Sequence, residues 1–390
     1  MEMNRQLKIK HIITGLSVGG AEMMLYKLLA YSKELRENAE VISLTTSGPI
    51  GERIKELGVP VRSLNMKQGK LSFLPILKLI RCLYRDKPDL VQTWMYHSDL
   101  IGGLAAKLAG RIPVIWGIRH SSLKKPPYEK PNTLRVAKFC AYLSNQIPAK
   151  IICCSTSSMK SHIEFGYKDS RIVVIPNGFD TLLFDIDIQS RVNVRRNFGI
   201  GDDEIVIGMV ARYHPLKDYE NLLLASEIVL NRGRCFRLVL CGDGVDSNNQ
   251  ELNSRIKDLN LHRNVILLGR QKEVEKILPA FDIFVLSSCG EGFPNVVGEA
   301  MSCGLPCVVT DVGDAALIVG DTGLIVPPKS PIALAEGLEQ LILMSSEQRK
   351  EKGLLARKRI KELFSLTKTI AEYEEIYKEV ASHVRNSRIY

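Results

Sequence analysis

The sequence predicts an α/β protein built from two doubly wound parallel sheets. Three observations carry that reading. Short β-branched apolar runs alternate with amphipathic stretches, the alternation stops at a polar interval of about Thr181 to Asp203 and then restarts, and 390 residues suffice for two separate cores. Hydrophobic residues at 45% and charged residues at 25% are globular averages, which excludes a disordered or collagen-like chain.

In the first block, Ile9 to Thr14, Val41 to Thr45, Leu90 to Thr93, Val114 to Ile118, Ile151 to Cys154 and Ile172 to Ile175 read as buried strands. Ala21 to Leu35, Phe73 to Arg85, Ser98 to Leu108 and Thr133 to Leu143 read as helices between them. In the second block the strands are Ile205 to Val210, Arg237 to Cys241, Val265 to Leu268, Ile283 to Leu286 and Pro306 to Thr310. Near-continuous apolar strands spaced by helices imply parallel sheets covered on both faces. The expected division is 1–180, 181–366, and a last helical segment, 367–390, within which Thr367 to Val384 returns to the first domain. No short-period repeat interrupts this pattern.

No apolar run approaches the ~20 residues of a spanning helix, and the opening MEMNRQLKIKHIITGLSVGG lacks the apolar core of a secretion signal. Nine scattered cysteines, an odd number set mostly in strand-like runs, read as reduced thiols in a cytosolic protein. The net charge of +10 is unevenly spread. Residues 1–180 hold 27 Lys and Arg against 14 Asp and Glu, and residues 181–390 hold 26 against 29. The basic first half suggests an acidic partner, such as a membrane surface or a phosphorylated substrate, or else only a solubilising bias.

Open parallel sheets bind ligands beyond the carboxyl ends of their strands, so the segments there come next. After the first strand, Gly15-Leu16-Ser17-Val18-Gly19-Gly20-Ala21-Glu22 leads into a helix whose free amides suit an anion. Its spacing fits neither the dinucleotide fingerprint nor the P-loop, and a tight turn without ligand is an equal reading. After Val210 come Arg212 and Lys217, a planar fork and a point charge suited to neighbouring phosphates.

Cys289-Gly290-Glu291-Gly292-Phe293-Pro294-Asn295-Val296-Val297-Gly298-Glu299 is the most informative segment. Pro294 suits the first turn of a helix running to about Cys303. That places Glu291 in the loop and Glu299 in the second turn, so two carboxylates could grip two points of one extended ligand while amides 292–295 face its polar groups. Gly242-Asp243-Gly244 follows a strand and could line the same cleft. His97 and Arg119-His120-Ser121 sit at strand ends in the first block, and Asn177-Gly178-Phe179-Asp180 reads as a turn or hinge.

Other patterns carry less. Asp185-Ile186-Asp187 matches an acidic metal-binding tripeptide but lies between the blocks, and no cysteine or histidine set has zinc spacing, so no metal is expected. Leu71 to Lys87 is apolar with basic punctuation, either a packed helix or a membrane-contacting surface.

Together, Gly19-Gly20-Ala21-Glu22, Ile175-Pro176-Asn177-Gly178-Phe179-Asp180, Arg212 with Lys217, and Glu291 with Glu299 resemble the retaining glycosyltransferases of family 4, which have the GT-B architecture. The resemblance spans nearly the whole chain, from Gly15 through Val326-Pro327-Pro328 to the C-terminal helices. It implies that Arg212 and Lys217 hold a donor diphosphate and Glu299 the ribose hydroxyls. Glu291 would lie beside the transferred sugar, with amides around Phe293 and Asn295 touching sugar or phosphate and Pro294 lining the same donor site. Gly19, Gly20 and Gly242 would line the donor site, and His97 would approach the anomeric centre. One departure is the loop Gly-Asp-Gly-Val, where the family pattern ends in Gly-Pro.

The implied donor is a nucleotide sugar, UDP-linked in preference to GDP-linked, with no further cofactor. The implied acceptor is a lipid-linked saccharide at an anionic membrane face, as in bacterial surface-polysaccharide assembly. A non-hydrolysing nucleotide-sugar epimerase and a non-catalytic two-lobed sugar-binding protein are the competing readings. Nucleic-acid binding rests on charge alone, without aromatic-basic motifs.

Overall fold

The computed structural model describes residues 6–67, 73–119, 123 and 131–386, the last four as backbone only. Two compact units divide the chain: Met1–Asn177 together with Thr367–Tyr390, and Gly178–Leu366.

Unit 1 holds a seven-stranded sheet in the order β3-β2-β1-β4-β5-β6-β7, every pair parallel. Its strands are β1 (Ile9–Ile13), β2 (Ala39–Ser43), β3 (Val61–Ser63), β4 (Leu90–Trp94), β5 (Val114–Ile118), β6 (Lys150–Cys153) and β7 (Ile172–Val174). The helices are α1 (Gly20–Tyr31), α2 (Lys33–Glu37), α3 (Gly48–Glu56), α4 (Phe73–Asp86), α5 (Tyr96–Leu108), α6 (Pro131–Leu143) and α7 (Thr156–Phe165). Strands β1, β2, β4 and β5 are buried along their whole length, and only β5 is an unbroken apolar run; β1, β2 and β4 also bury Lys10, His11, Glu40 and Gln92.

Unit 2 repeats the plan with six parallel strands in the order β10-β9-β8-β11-β12-β13. They are β8 (Val206–Val210), β9 (Arg237–Cys241), β10 (Val265–Leu267), β11 (Ile283–Leu286), β12 (Cys307–Thr310) and β13 (Leu324–Val326). The helices are α8 (Ile188–Asn197), α9 (Tyr219–Asn231), α10 (Gln250–Asp258), α11 (Val274–Ile277), α12 (Asn295–Ser302), α13 (Ala315–Val319), α14 (Pro331–Ile342) and α15 (Ser346–Leu363). One apolar cluster fills each face of this sheet: Phe281, Phe284, Val297 and Ile360 on one side, Met209, Leu238, Val285 and Leu338 on the other.

The last helix, α16 (Leu366–Asn386), packs into unit 1. Tyr373 stacks on Trp94 with ring centroids 6.3 Å apart, Tyr377 meets His11, and Glu379 pairs with Lys150 at 3.1 Å. Both tyrosines are fully buried, so this helix supplies core rather than covering.

Two expectations need correction, and two strands were not foreseen. The helix read as Ala21 to Leu35 is two helices, because Ser32 is extended (φ −113°, ψ 113°). Its hydroxyl donates to Glu374 of α16 at 2.6 Å and accepts the Leu35 N–H, so a tertiary contact overrides helix continuation. Pro294 sits one position outside α12, as its N-cap, rather than in the first turn. The edge strands β3 and β13 were not among the expected strands: β3, Val-Arg-Ser, shows no apolar run, and β13, Leu-Ile-Val, is only three residues long.

Candidate active site

A doubly wound sheet has one switch point, where the strand order reverses and connections leave in opposite directions, and a crevice opens there at the carboxyl ends. In unit 2 that point lies between β8 and β11. Arg212 and Lys217 follow β8, and Glu291 follows β11.

The two segments are fastened together. Lys217 closes a single 3-10 turn, Pro215–Lys217, and Asp218 then caps α9 by accepting the Asn221 N–H. From the β11 side, the Ser287 hydroxyl donates to the Lys217 carbonyl at 2.8 Å, and the Cys289 N–H donates to the Leu216 carbonyl at 2.9 Å. The Lys217 ammonium then meets Glu291 Oε1 at 2.5 Å, and the Ser288 hydroxyl donates to the same oxygen at 2.6 Å. Both ionic side chains are largely shielded, at 21% and 12% exposed, so the pair is less screened than a surface bridge.

Arg212 is exposed and, among the described residues, holds no carboxylate. The pKa of His214, between the two cations in sequence, is lowered by partial burial and further by Arg212 and Lys217. An exposed guanidinium on such a loop is available to an anion.

The glutamate loop is shaped from behind by Gly313. This residue has φ +59°, and a Cβ there would stand 2.4 Å from the Gly292 carbonyl and 2.7 Å from that of Glu291. Asp314 N–H donates to the Gly292 carbonyl at 2.7 Å, which fixes the same turn. The Phe293 side chain is not a ligand-facing group. It stacks on Phe179 at 5.9 Å and touches Phe364, within the core. Its backbone and that of Asn295 remain the parts near the start of α12, where helix N–H groups lack intrahelical acceptors. Glu299 is half-buried one turn further along α12.

Phe179 is the support under that helix. A Cβ on Gly298 would fall 2.1 Å from the Phe179 ring, so only glycine lets α12 settle on it. The Asn177–Asp180 segment is therefore more than a turn. Gly242 has a comparable steric function, because a Cβ there would lie 1.8 Å from the Ala211 carbonyl. Its N–H is committed to the Gly269 carbonyl at 2.9 Å.

Unit 1 places its predicted residues at its own switch point. Strands β1 and β4 are neighbours, with Ile13 opposite Trp94, and the order reverses between them. Gly19 is the N-cap of α1 without a side chain to cap it, and a Cβ on Gly20 would meet open space. The Glu22 carboxylate folds back toward Gly19, and burial raises its pKa. His97 lies in the first turn of α5, half-buried, its pKa held below the imidazole value by burial. The residue before that helix, Met95, has φ +70° and ψ 156°, an uncommon conformation for a large side chain and a mark of strain at a strand end.

Other sequence candidates resolve into structure. Arg119 lies over Trp94 and Tyr373 and donates to Asn177 Oδ1 at 2.6 Å; His120 and Ser121 fall outside the described residues. Asp187 caps α8 through Ser190, and Asp185 pairs with Arg357 at 2.6 Å. No group of three potential metal ligands exists among the described residues, and their cysteines are all free. Sequence reasoning missed Ser287, Ser288 and Gly313. A Gly-Asp pair two residues beyond β12 was the available signal for the last, whereas nothing local marks the two serines.

Paired parallel-sheet units of this kind, each with its polar residues at the switch point, define the GT-B class. HepE of Anabaena, crystallised with UDP, superposes with a TM-score of 0.83 at 23% identity, covering 96% of this chain and 100% of its own. "Glycosyltransferase Family 4" matches residues 18–182 and "Glycosyl transferases group 1" residues 204–343. The Escherichia coli UDP-Gal:alpha-D-GlcNAc-diphosphoundecaprenol alpha-1,3-galactosyltransferase is 28% identical over 275 residues, 68% of this chain and 70% of its own length. The capsular polysaccharide biosynthesis glycosyltransferase CapM of Staphylococcus aureus is 27% identical over 312 residues, 77% of this chain and 80% of its own. The chain belongs to the family 4 glycosyltransferases.

Proposed function

We propose that this glycosyltransferase moves a sugar from a UDP-sugar to a lipid-linked saccharide acceptor, with retention of anomeric configuration, in surface-polysaccharide assembly at an anionic membrane face. The observation that carries the reading is the joining of Lys217 to Glu291 across the switch point of unit 2, with Arg212 exposed on the same loop. The UDP bound by HepE and the donor and acceptor named for the Escherichia coli relative support the nucleotide and the acceptor class.

In this proposal Arg212 and Lys217 hold the donor diphosphate, Glu299 the ribose hydroxyls, and Glu291 with the amides of Phe293 and Asn295 the transferred sugar. Gly19 and Gly20 are assigned to a donor phosphate, and His97, neutral at pH 7, to the reacting carbon. The bond from the anomeric carbon to the phosphate oxygen breaks, and the nucleoside diphosphate leaves with added negative charge. An acceptor hydroxyl attacks from the same face, and its proton passes to the departing phosphate oxygen. Fixed cations and backbone dipoles aimed at that developing charge lower the barrier, an effect worth ~10²–10³ in rate for a single well-placed donor group. Cations already fill the charge-stabilising role, so the proposal requires no metal.

The test is thermal shift against UDP-, GDP- and ADP-sugars, followed by transfer to an undecaprenyl-diphosphate saccharide. A ligand that binds only the folded state raises the melting temperature. A response to UDP-sugars with formation of an α-linked product supports the reading, and conversion of the nucleotide sugar without acceptor would replace it with epimerisation.

A further inference from the structure

Helices α4, α5 and α6 lie side by side on one face of the unit 1 sheet, with α5 packed against both neighbours. Leu79 and Leu83 of α4, Ala105 and Ala106 of α5, and Ala137 and Cys140 of α6 enter one shared core. The outward faces are unusual in two ways at once. On α4 the exposed stripe is Phe73, Leu74, Leu77 and Tyr84 with Lys78, Arg81 and Arg85, and Phe73 is 80% exposed. On α6, Phe139 and Tyr142 stand beside Arg135 and Lys138, and Tyr142 is 76% exposed. Leu108 and Lys107 extend the surface across α5.

No carboxylate shares this face among the described residues of the three helices. Asp86 is turned to Lys10, which it meets at 2.7 Å, and Asp99 is fully buried against Thr93. Six exposed cations therefore surround large apolar side chains that project into solvent without acidic relief.

We infer that the α4–α5–α6 face docks on an anionic lipid bilayer, the aromatic and leucine tips entering the acyl boundary and the cations pairing with headgroup phosphates. The inference rests on the proposed membrane setting for its purpose, and on these side chains for its content. A second copy of the chain is a poor occupant, because six cations would oppose six. A nucleic acid would match the charge but leave the exposed leucines unburied, whereas an interfacial helix buries one face and keeps the other wet.

The test uses the full chain and vesicles of phosphatidylcholine with or without phosphatidylglycerol, in co-sedimentation at low salt. Wild type should bind anionic vesicles at least ~10-fold better than neutral ones, and Lys78→Gln/Arg81→Gln/Arg85→Gln should weaken that binding roughly a hundredfold, at about 1 kcal/mol per cation. Phe73→Ser/Leu77→Ser should lower the salt-resistant fraction. Lys350→Gln/Lys358→Gln/Lys361→Gln, on α15 of unit 2, should change nothing. Equal binding to both vesicle types, unaltered binding by the α4 variants, or an equal loss in the α15 variant overturns the inference. So does a dimer in sedimentation velocity that the α4 variants dissociate, or a duplex DNA that displaces the vesicles. The UDP-induced melting shift, measured on the same proteins, reports the donor site separately. Its absence with vesicle binding intact would sink the donor reading and leave the docking surface standing.

Discussion

Lys217 Nζ and Glu291 Oε1 stand 2.5 Å apart although 74 residues separate them in the chain. Each is the other's positioning group, and Ser288 holds the carboxylate from a second side. Removing one partner therefore disturbs the other. Lys217→Ala and Glu291→Ala should each lower transfer by ~10²–10³-fold, and the double variant should lose far less than the product of the two. Each single variant should also lose ~1–3 kcal/mol of stability, because it leaves a shielded charge without its partner. Single-turnover assays and urea titration check this, and full additivity would mean that the pair acts as two independent groups.

Gly313→Ala should damage activity more than stability. Its backbone lies in the left-handed region, and the new methyl would strike the Gly292 carbonyl, so the glutamate loop must move. A displacement of ~1 Å at a reacting group costs on the order of 10²-fold in rate, against ~1–2 kcal/mol for strain at such a φ. The comparison is kcat against the urea midpoint. A variant with wild-type kcat and lowered stability would remove this glycine from the donor site's support.

Gly298→Ala carries the reverse expectation. The methyl would overlap the Phe179 ring beneath α12, an overpacking that costs ~1–3 kcal/mol in a dense core. Phe179→Ala should cost ~3–5 kcal/mol by leaving a cavity. In the double variant the smaller ring position admits the methyl, so the combined loss should fall below the sum. Denaturant melts of the four proteins decide it.

Two buried groups in unit 1 give pH dependences of opposite sign. His11 is fully buried, which pushes its pKa down to about 3, and Trp94 Nε1–H donates to its Nδ1 at 3.4 Å. The unfolded imidazole takes up a proton near pH 6.5 and the folded one does not, so stability falls as pH drops from ~6.5 toward 3. Asp99, also fully buried, has its pKa pushed up to about 7. The folded carboxyl keeps its proton where the unfolded one has lost it, so its contribution weakens as pH rises from ~3.8 to 7. At ~1.4 kcal/mol per pKa unit, each effect amounts to a few kcal/mol. Between pH ~3.8 and ~6.5 the two slopes oppose each other and largely cancel, so His11→Asn, which keeps an acceptor for the indole, should make stability fall as pH rises across that window, and Asp99→Asn should make it rise. An unchanged slope in both variants would show that other groups dominate.

The central strands were legible because burial on both faces removes polar positions, leaving runs such as Ile283 to Leu286 that admit one interpretation. The residues after them were legible for a related reason: a parallel sheet sends its exposed polar groups to strand ends, so Arg212, Lys217 and Glu291 stood out. What could not be read is anything made by two distant segments meeting. Ser32 sits in a sequence favourable to helix, and its extension depends on Glu374. Ser287 is an ordinary strand-end serine until the Lys217 carbonyl arrives beside it. Phe179 looked like part of a hinge because its partner, Gly298, is an absence of side chain.

The order in which the chain is made gives α16 a further significance. Unit 2 is one continuous stretch whose two ends are joined within it, Phe179 N–H donating to the Phe364 carbonyl and Leu366 N–H to the Phe179 carbonyl. Unit 1 is interrupted, and Tyr373 and Tyr377 of its core are translated after the whole of unit 2. On the ribosome, the later lobe can therefore finish folding first, while the earlier one waits with Trp94 and His11 uncovered until the final helix emerges. A nascent chain stalled before residue 367 should already contain a protease-resistant unit 2 and a unit 1 that a chaperone still recognises.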